Sequence, residues 1–162
     1  MDHGLPTRVA ERFVEWMAVR GIQLSAALDS LEKDFELALE RECRRPYDAV
    51  LTVGDEHYDL CTGAACFFGE ALRRRFGGTW YGKLSTKSGL NYYQTRIRFG
   101  AYHFAPFRWI SYRLQNGRAS EGAVADCLRA VIPSMQDHAD HKQAQIDESI
   151  ACGKTAVVYD VF

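Results

Sequence analysis

The chain has 162 residues, of which 47% are hydrophobic and 25% are charged. This length suits one domain that is large enough to bury a core, and the composition is typical of a globular protein. Lysine and arginine number 20 against 21 aspartate and glutamate residues, which gives a net charge of −1. A near-neutral chain argues against a nucleic-acid binder that works by neutralising phosphates, so we expect no nucleic-acid partner.

The sequence predicts neither export nor membrane insertion. Met1 to Gly4 open the chain without a basic stretch or an apolar run, so we expect no signal peptide. No apolar run approaches the length of a membrane span, and we expect no membrane partner. The five cysteines are widely spaced and contain no C-x-x-C pair: Cys43, Cys61, Cys66, Cys127 and Cys152. Free thiols in a reducing cytoplasm fit this pattern better than disulfides, so we predict a cytoplasmic protein.

Two helices are predicted in the first third of the chain. The first runs from Pro6 to Arg20 and is stopped by Gly21. Its apolar stripe at helical spacing consists of Val9, Phe13, Trp16 and Met17. The second begins at Asp29, with Glu32 placed for a capping-box contact, and ends before Pro46 because the residue before a proline avoids helical geometry. Segment 47–56, which follows, fits either a strand or a loop.

A broadly apolar helix is predicted from His57 to Phe76. Gly63 and Gly69 lie in its middle, where each glycine costs about 1 kcal/mol relative to alanine. A packing reason for both is therefore expected, namely the close approach of another element. Gly77-Gly78 ends the helix, with one glycine in the left-handed cap position.

Three short strands are predicted next, forming an antiparallel meander. The first covers Trp80 to Leu84 and the last covers Tyr102 to Phe104. The clearest strand signal lies between them, where two sets of residues alternate: Tyr93, Thr95, Ile97 and Phe99 against Tyr92, Gln94, Arg96 and Arg98. One set should face the core and the other should point away from it.

The last part of the chain is predicted to be helical. Pro106 begins a helix that ends at Asn116-Gly117, and Ser120 can cap another that Pro133 breaks or kinks. A mostly polar helix over 134–151 and a final strand or tail over 157–162 complete the chain. We therefore predict one α+β domain over 1–162, with helices packed around a small antiparallel β-meander and the part after about residue 134 peripheral.

The strongest candidate for a binding surface is the outward side of the best strand. Tyr92, Gln94, Arg96 and Arg98 share that side, and Tyr102 is predicted nearby. Arginine interleaved with aromatic residues is the composition of a protein-recognition surface. Two other interpretations stay open: stacking on single-stranded nucleic acid, or a sheet face covered by a helix, with the arginines paired to acids.

A metal site is a further candidate. His138 and His141 are spaced i, i+3 on the polar helix, and Asp137 and Asp140 flank them. Two imidazoles on one helix face can bind zinc or another divalent ion, but three or four ligands are normally needed. His57 or His103 would have to complete the set. The alternative is a solvated helix face.

Two residues of the apolar helix invite a catalytic interpretation. Glu70 can act as an acid or base if burial raises its pKa, or it can form a structural ion pair with an arginine: Arg96, Arg98 or Arg113. Cys61 can act as a nucleophile with His57 as its base, or it can be a buried small residue, as we expect for Cys66. The structural interpretation is favoured for each, because no partner groups stand at a catalytic spacing.

Four short motifs follow one another along the central region. They are Gly69-Glu70 in a helix, Gly77-Gly78-Thr79-Trp80 at a turn, Pro106-Phe107 at a helix start and Arg113-Leu114 near that helix's end. Leu28-Asp29-Ser30-Leu31 is an upstream helix start of the same kind. This arrangement resembles a set of small, mostly uncharacterised bacterial proteins, some of which are similar to immunity or accessory proteins of toxin systems. The resemblance implies a cytoplasmic binding role and supplies no catalytic residue.

The sequence as a whole predicts a non-enzymatic, cytoplasmic protein-binding protein of the immunity type. It would neutralise a bacterial toxin or effector by occlusion, without a cofactor, and exposed aromatic residues on the meander also permit a homodimer. The alternative is a small metal-dependent hydrolase that uses the His138 and His141 helix. A third possibility, a nucleotide or small-ligand binding module, predicts a deep apolar pocket beside Glu70 and Trp80.

Overall fold

The computed structural model describes residues 4–117 and 123–152. The elements in chain order are α1 (Gly4–Val19), α2 (Leu28–Ser30), a π-helical segment (Leu31–Phe35), α3 (Glu36–Glu42), β1 (Leu51–Val53), β2 (Glu56–Tyr58), α4 (Leu60–Phe76), β3 (Thr79–Gly82), α5 (Ser88–Gln94), β4 (Thr95–Phe99), β5 (Tyr102–Phe104), α6 (Pro106–Asn116) and α7 (Val124–Ala151). Strands β1 and β2 form one antiparallel sheet, and β3, β4 and β5 form another. The predicted α+β class, with helices around an antiparallel meander, is confirmed.

Helix α4 is the centre of the core, and every residue from Leu60 to Leu72 is buried. A Cβ atom added at Gly63 would lie 2.9 Å from Cδ2 of Phe13 on α1. A Cβ atom added at Gly69 would lie 2.6 Å from Cη2 of Trp80 on β3. The two glycines therefore let α1 and the three-stranded sheet approach α4 more closely than any side chain would permit, which confirms the predicted packing reason.

The ends of α4 are fixed by capping residues. The Asp59 carboxylate accepts a hydrogen bond of 2.8 Å from the Thr62 N–H, so the helix begins after Asp59 rather than at His57. His57 instead lies in β2, opposite Thr52 of β1. Gly77 ends the helix with a φ of 80°, the left-handed conformation that glycine adopts without strain. The predicted glycine cap is confirmed.

The three-stranded sheet turns one face to the core. Trp80, Ile97 and Phe104 lie opposite one another across β3, β4 and β5, and all three are buried. The next pair along β3 and β4 is Tyr81 opposite Arg96, and side chains on adjacent positions of a strand point to opposite faces. Arg96 therefore lies on the outward face, as the strand alternation predicted.

The strand prediction for residues 92–94 was wrong, because β4 begins at Thr95. Strand β3 ends at Gly82, opposite Thr95, so it offers no partner to earlier residues. Asn91 is fully buried and holds the loop before α5: its side chain accepts from the Ser85 N–H at 2.7 Å and donates to the Ser85 carbonyl at 2.8 Å. Tyr92 and Gln94 consequently lie on helix α5.

The remaining predictions of helices, strands and caps had mixed outcomes. The second helical segment begins at Leu28 after Ala27, which makes no side-chain cap bond, so the capping box with Glu32 was wrong. The open segment before α4 contains strand β1. Helix α7 continues through Pro133 without a break, and most of its second half is exposed or half-buried, although Met135 and His138 are buried. The Ser120 cap and the strand or tail over 157–162 lie outside the described residues.

One buried ion-pair network joins three helical elements. The Arg113 side chain on α6 donates from Nε to Glu36 and from Nη2 to Glu40, at 2.8 Å each. The second oxygen of Glu36 accepts from the Val124 N–H at 3.2 Å, at the start of α7. This network, defined by Arg113, Glu36 and Glu40, is called the Arg113 network below. Among the described residues, no helix has both the length and the apolar character needed to cross a membrane.

Candidate functional site

The outward face of the three-stranded sheet is lined by arginine and ring-bearing side chains. Arg98 lies opposite His103, and Arg96 lies opposite Tyr81. The Arg98 guanidinium carbon lies 4.6 Å from the centroid of the Tyr81 ring, and the Tyr81 hydroxyl lies 2.6 Å from Nδ1 of His103. The face therefore holds a guanidinium group over the Tyr81 ring, which meets the His103 ring edge-on.

Arg96 connects this face to helix α5. Its Nη1 donates to the Tyr92 carbonyl at 2.9 Å and to the Thr95 carbonyl at 3.0 Å. Burial lowers the pKa of Arg96, and the positive charge of Arg108 lowers it further, although Tyr81 and Tyr92 oppose the change. Arg96 therefore joins the outward sheet face to the backbone of α5.

A cleft of about 360 Å³ opens beside Tyr92. Four tyrosines, one arginine and one glutamine supply most of its lining: Tyr47, Tyr92, Tyr93, Tyr112, Arg108 and Gln115. The Arg108 guanidinium carbon lies 5.2 Å from the Tyr92 ring centroid, and the Tyr93 ring meets the Tyr92 ring edge-on at 5.0 Å. Tyr47 is 68% exposed and Tyr93 is 75% exposed. We call this the tyrosine cleft.

The tyrosine cleft and the outward sheet face are joined into one candidate surface by Arg96, which lies opposite Tyr81 in the sheet and donates from Nη1 to the carbonyl of Tyr92 in the cleft. We call it the tyrosine–arginine surface, and its sheet part consists of Tyr81, Arg96, Arg98 and His103. Within residues 4–117 and 123–152, neither Arg96 nor Arg108 forms an ion pair with a carboxylate. The surface therefore presents positive charge among large, amphipathic rings.

The sequence-predicted surface residues are not all brought together. Arg96 and Arg98 share the outward face, and Tyr92 reaches the same surface from α5, where Gln94 is half-buried at the helix end. Tyr102 was placed wrongly: it lies opposite Phe99, whose side chain is in the core. Burial and the nearby Cys127 raise the pKa of Tyr102. A tight turn between β4 and β5 sets this register and directs Tyr102 inward.

Several residues of the surface were missed. Tyr81 follows the buried Trp80 in a predicted strand, so alternation alone would have placed it outward. His103 is the outward residue of β5 by the same rule. Tyr47 and Arg108 had no such signal, because they reach the tyrosine cleft from separate parts of the chain.

The two histidines of the metal hypothesis have different partners. His138 is buried on α7, with Nε2 at 3.2 Å from the Gly77 carbonyl and its ring edge-on to Phe99. His141 is exposed and contacts the Gln145 side chain at 3.1 Å. In the described part of the chain, no three His, Cys, Asp or Glu side chains are grouped to hold a metal ion.

Glu70 is a buried structural carboxylate. It accepts hydrogen bonds from Thr7, from Arg73 and, at 3.3 Å, from Nε1 of Trp80. Burial alone raises its pKa, but the hydrogen bonds from Arg73, Thr7 and Trp80 outweigh burial, so the pKa is lowered. Glu70 is thus held ionised, which contradicts the raised pKa that an acid–base role needs.

The partners predicted for Glu70 were wrong, because its ion pairs are local to α4. Arg73 and Arg74 supply the positive charge from one turn later in the helix, and Arg113 belongs to its own network. A second cleft of about 360 Å³ lies beside Glu70 between α1 and α4, but Trp80 does not line it.

The cysteines are all free thiols, as predicted. Cys61 and Cys66 are buried, and burial raises the pKa of Cys61 to about 11 and that of Cys66 well above its ordinary value. His57 is exposed on β2 with Nδ1 at 3.1 Å from the Thr52 hydroxyl, and the Cys61 sulfur contacts Ser111 instead. A protonated, buried thiol is a poor nucleophile, so the structural interpretation is supported.

The fold and the site define an α+β protein that presents a tyrosine–arginine surface. Comparisons with protein-family models, with curated proteins and with solved structures gave no match. The resemblance to immunity-type proteins therefore stays a prediction, and any functional argument depends on the surface itself.

Proposed function

We propose that this protein is a non-enzymatic binding protein that captures another protein through the tyrosine–arginine surface. The observation that carries the proposal is that Arg108 lines a cleft walled by tyrosines and that Arg96 donates to the carbonyl of Tyr92, a residue of the same cleft. Neither arginine forms an ion pair in the described part of the chain. Tyrosine and arginine are among the residues that contribute most to binding at protein interfaces. A tyrosine also contributes a large contact area while losing few rotatable bonds.

The state of the candidate reactive groups favours binding over catalysis. Glu70 is ionised and fully engaged in hydrogen bonds from the core and from α4. Burial keeps the thiols of Cys61 and Cys66 protonated near neutral pH. These were the groups of α4 with the strongest catalytic potential, and each has a structural role instead.

The proposal extends to neutralisation of a toxin or effector by occlusion. The support is the resemblance carried by Gly69-Glu70, Gly77-Gly78-Thr79-Trp80 and the Pro106–Leu114 helix. A surface that joins a sheet face to a helix is well suited to covering a partner's active region, because both elements are held by the core. On this proposal the protein needs no cofactor and acts by forming a stoichiometric complex.

Affinity capture from the source lysate, followed by co-expression with the captured protein, tests this function. We expect the wild-type chain to retain a partner and to protect cells from it, and we expect Y47A/Y93A to lose both properties. Both tyrosines are highly exposed, so their truncation should spare the fold. Val19→Ala is the matched control, since Val19 is 84% exposed at the end of α1. A partner retained equally by Y47A/Y93A, or a second copy of this chain as the bound molecule, would contradict the proposal.

A further inference from the structure

We propose that the tyrosine cleft is the anchor site of the tyrosine–arginine surface and takes a carboxylate side chain from an acidic segment of the partner protein. The carboxylate would bind between Arg108 and Arg96, and the residue beside it would rest against the tyrosine rings. This inference depends on the proposed function for its biological context, but it concerns the chemistry of one cleft.

Positive charge beside Tyr92 favours an anionic ligand. The Arg108 guanidinium carbon lies 5.2 Å from the Tyr92 ring centroid, and Nη1 of Arg96 lies 2.9 Å from the Tyr92 carbonyl oxygen. The described residues supply neither arginine with an ion-paired carboxylate. Asp59 acts electrostatically on Tyr47, which also lines the cleft. Its carboxylate, however, accepts the Thr62 N–H and caps α4. An anionic group from outside is therefore the missing electrostatic complement.

Arg96 and Arg108 can supply hydrogen-bond donors to a ligand. The hydrogen bonds of Arg96 within the described residues all use Nη1, which leaves its other N–H groups for a ligand. Arg108 is exposed and makes no hydrogen bond to the described residues. A guanidinium offers N–H groups in a planar fork that matches a carboxylate with two parallel hydrogen bonds. Two such forks beside one cleft suit one carboxylate well.

The shape and lining of the tyrosine cleft also suit an acidic side chain. Its volume of about 360 Å³ is enough for an acidic side chain and part of a neighbouring one. Tyr93 lines the cleft and is 75% exposed, and its amphipathic ring suits both apolar and polar contacts. We therefore expect an aspartate or glutamate next to an aromatic or aliphatic residue, rather than a run of acidic residues alone.

A display library of random linear peptides, panned against the purified full chain, tests the inference. We expect enrichment of peptides in which an acidic residue adjoins an aromatic or aliphatic one. Binding of an enriched peptide should weaken about tenfold or more in either R96Q or R108Q, since a close charge pair contributes at least that much. R108K should keep part of the affinity, because it retains the charge but not the fork.

The matched control is Arg41→Gln, an exposed arginine of α3 whose side chain is 53% exposed. It should leave peptide affinity unchanged, and circular dichroism with thermal unfolding should show that all four variants are folded. Enrichment of basic or purely apolar peptides would overturn the inference. So would enrichment of acidic peptides that bind R96Q and R108Q as well as wild type, or tighter binding of a phosphopeptide or single-stranded DNA probe.

These outcomes separate the anchor site from the proposed function. If Y47A/Y93A loses a captured partner while R96Q and R108Q bind it normally, the anchor site is wrong and the binding function stands. If acidic peptides bind as expected but no partner is captured, the anchor site stands and the proposed neutralisation of another protein is wrong.

Discussion

Arginine is used in two different ways in this molecule. In the Arg113 network, a buried guanidinium is held by the carboxylates of Glu36 and Glu40 at 2.8 Å each. On the tyrosine–arginine surface, Arg96 and Arg108 contact carbonyl oxygens and a tyrosine ring and have no carboxylate partner in the described part of the chain. The interior network therefore neutralises its own charge, whereas Arg96 and Arg108 lack a carboxylate within the described residues, and we propose that a ligand supplies one.

The largest stability effect is expected from breaking the interior network. Arg113→Ala removes the guanidinium that pairs with the buried Glu36 carboxylate, and removing one member of a buried pair typically costs about 3–5 kcal/mol. We expect the free energy of unfolding, measured by urea denaturation, to fall by about that amount. Arg108→Ala is the matched surface control. If both variants lost the same stability, the distinction between the two regions would be wrong.

The next effect concerns the close packing of α4 against the sheet. Gly69→Ala places a methyl group 2.6 Å from Cη2 of Trp80 and 2.8 Å from Cδ1 of Ile97. Because both neighbours are in the core, we expect a loss of about 1–3 kcal/mol, the usual cost of overpacking. Gly89→Ala on α5 is the control, since nothing lies within 4 Å of the added atom. Equal thermal stability of the two variants would show that the sheet does not pack closely on Gly69.

A smaller, pH-dependent effect is expected at Glu70. Its pKa in the folded chain lies below the ordinary value of 4.5, so ionised Glu70 stabilises the fold above that pH. This contribution disappears as the pH falls through the folded-state pKa. Glu70→Gln should cost about 1.5 kcal/mol at pH 7, as expected for a hydrogen bond to a charged group.

Urea denaturation of wild type and Glu70→Gln across the acidic range gives the measurement. The difference in stability between the two chains should shrink as the solution is acidified below pH 4.5. A difference that grew on acidification would mean that the Glu70 pKa is raised, and an acid–base role would then have to be considered again.

The smallest stability effect is expected on the surface. The double variant R96Q/R108Q breaks no ion pair among the described residues, but it removes the hydrogen bonds from Nη1 of Arg96 to the Tyr92 and Thr95 carbonyls. One hydrogen-bonding group is lost, so we expect the free energy of unfolding to fall by about 1 kcal/mol or less. Thermal unfolding of the double variant beside Arg41→Gln provides the comparison, and a large loss for the double variant alone would show that the arginines hold the fold together.

Most of the fold could be predicted from local signals. The glycine at position 77 marks the end of α4 and Pro106 marks the start of α6, because each residue has a strong backbone preference. Alternation placed Arg96 and Arg98 outward. The same alternation gave a wrong prediction for Tyr92 and Gln94, which lie on helix α5. The buried Asn91 side chain fixes the loop before α5, and β3 ends at Gly82, so residues 92–94 have no strand partner.

The site was harder to predict than the fold, because its parts are distant in sequence. Tyr47 precedes α4 in the sequence and Arg108 follows it, yet both line the tyrosine cleft. The partners of Arg113 lie 77 and 73 residues away, and no local pattern indicates them. Tyr102 was assigned to the wrong face of the sheet. The face of its side chain depends on the register between β4 and β5, and a shift of one residue moves the side chain to the opposite face.

Calorimetric titration of the captured partner into wild type and into R96Q/R108Q tests most directly whether the two arginines bind the partner. The free energy of unfolding of each chain is measured in parallel. We expect the double variant to keep its stability within about 1 kcal/mol of wild type and to lose most of its affinity. An affinity of the double variant equal to that of wild type would contradict this expectation. So would a loss of affinity accompanied by a large loss of stability.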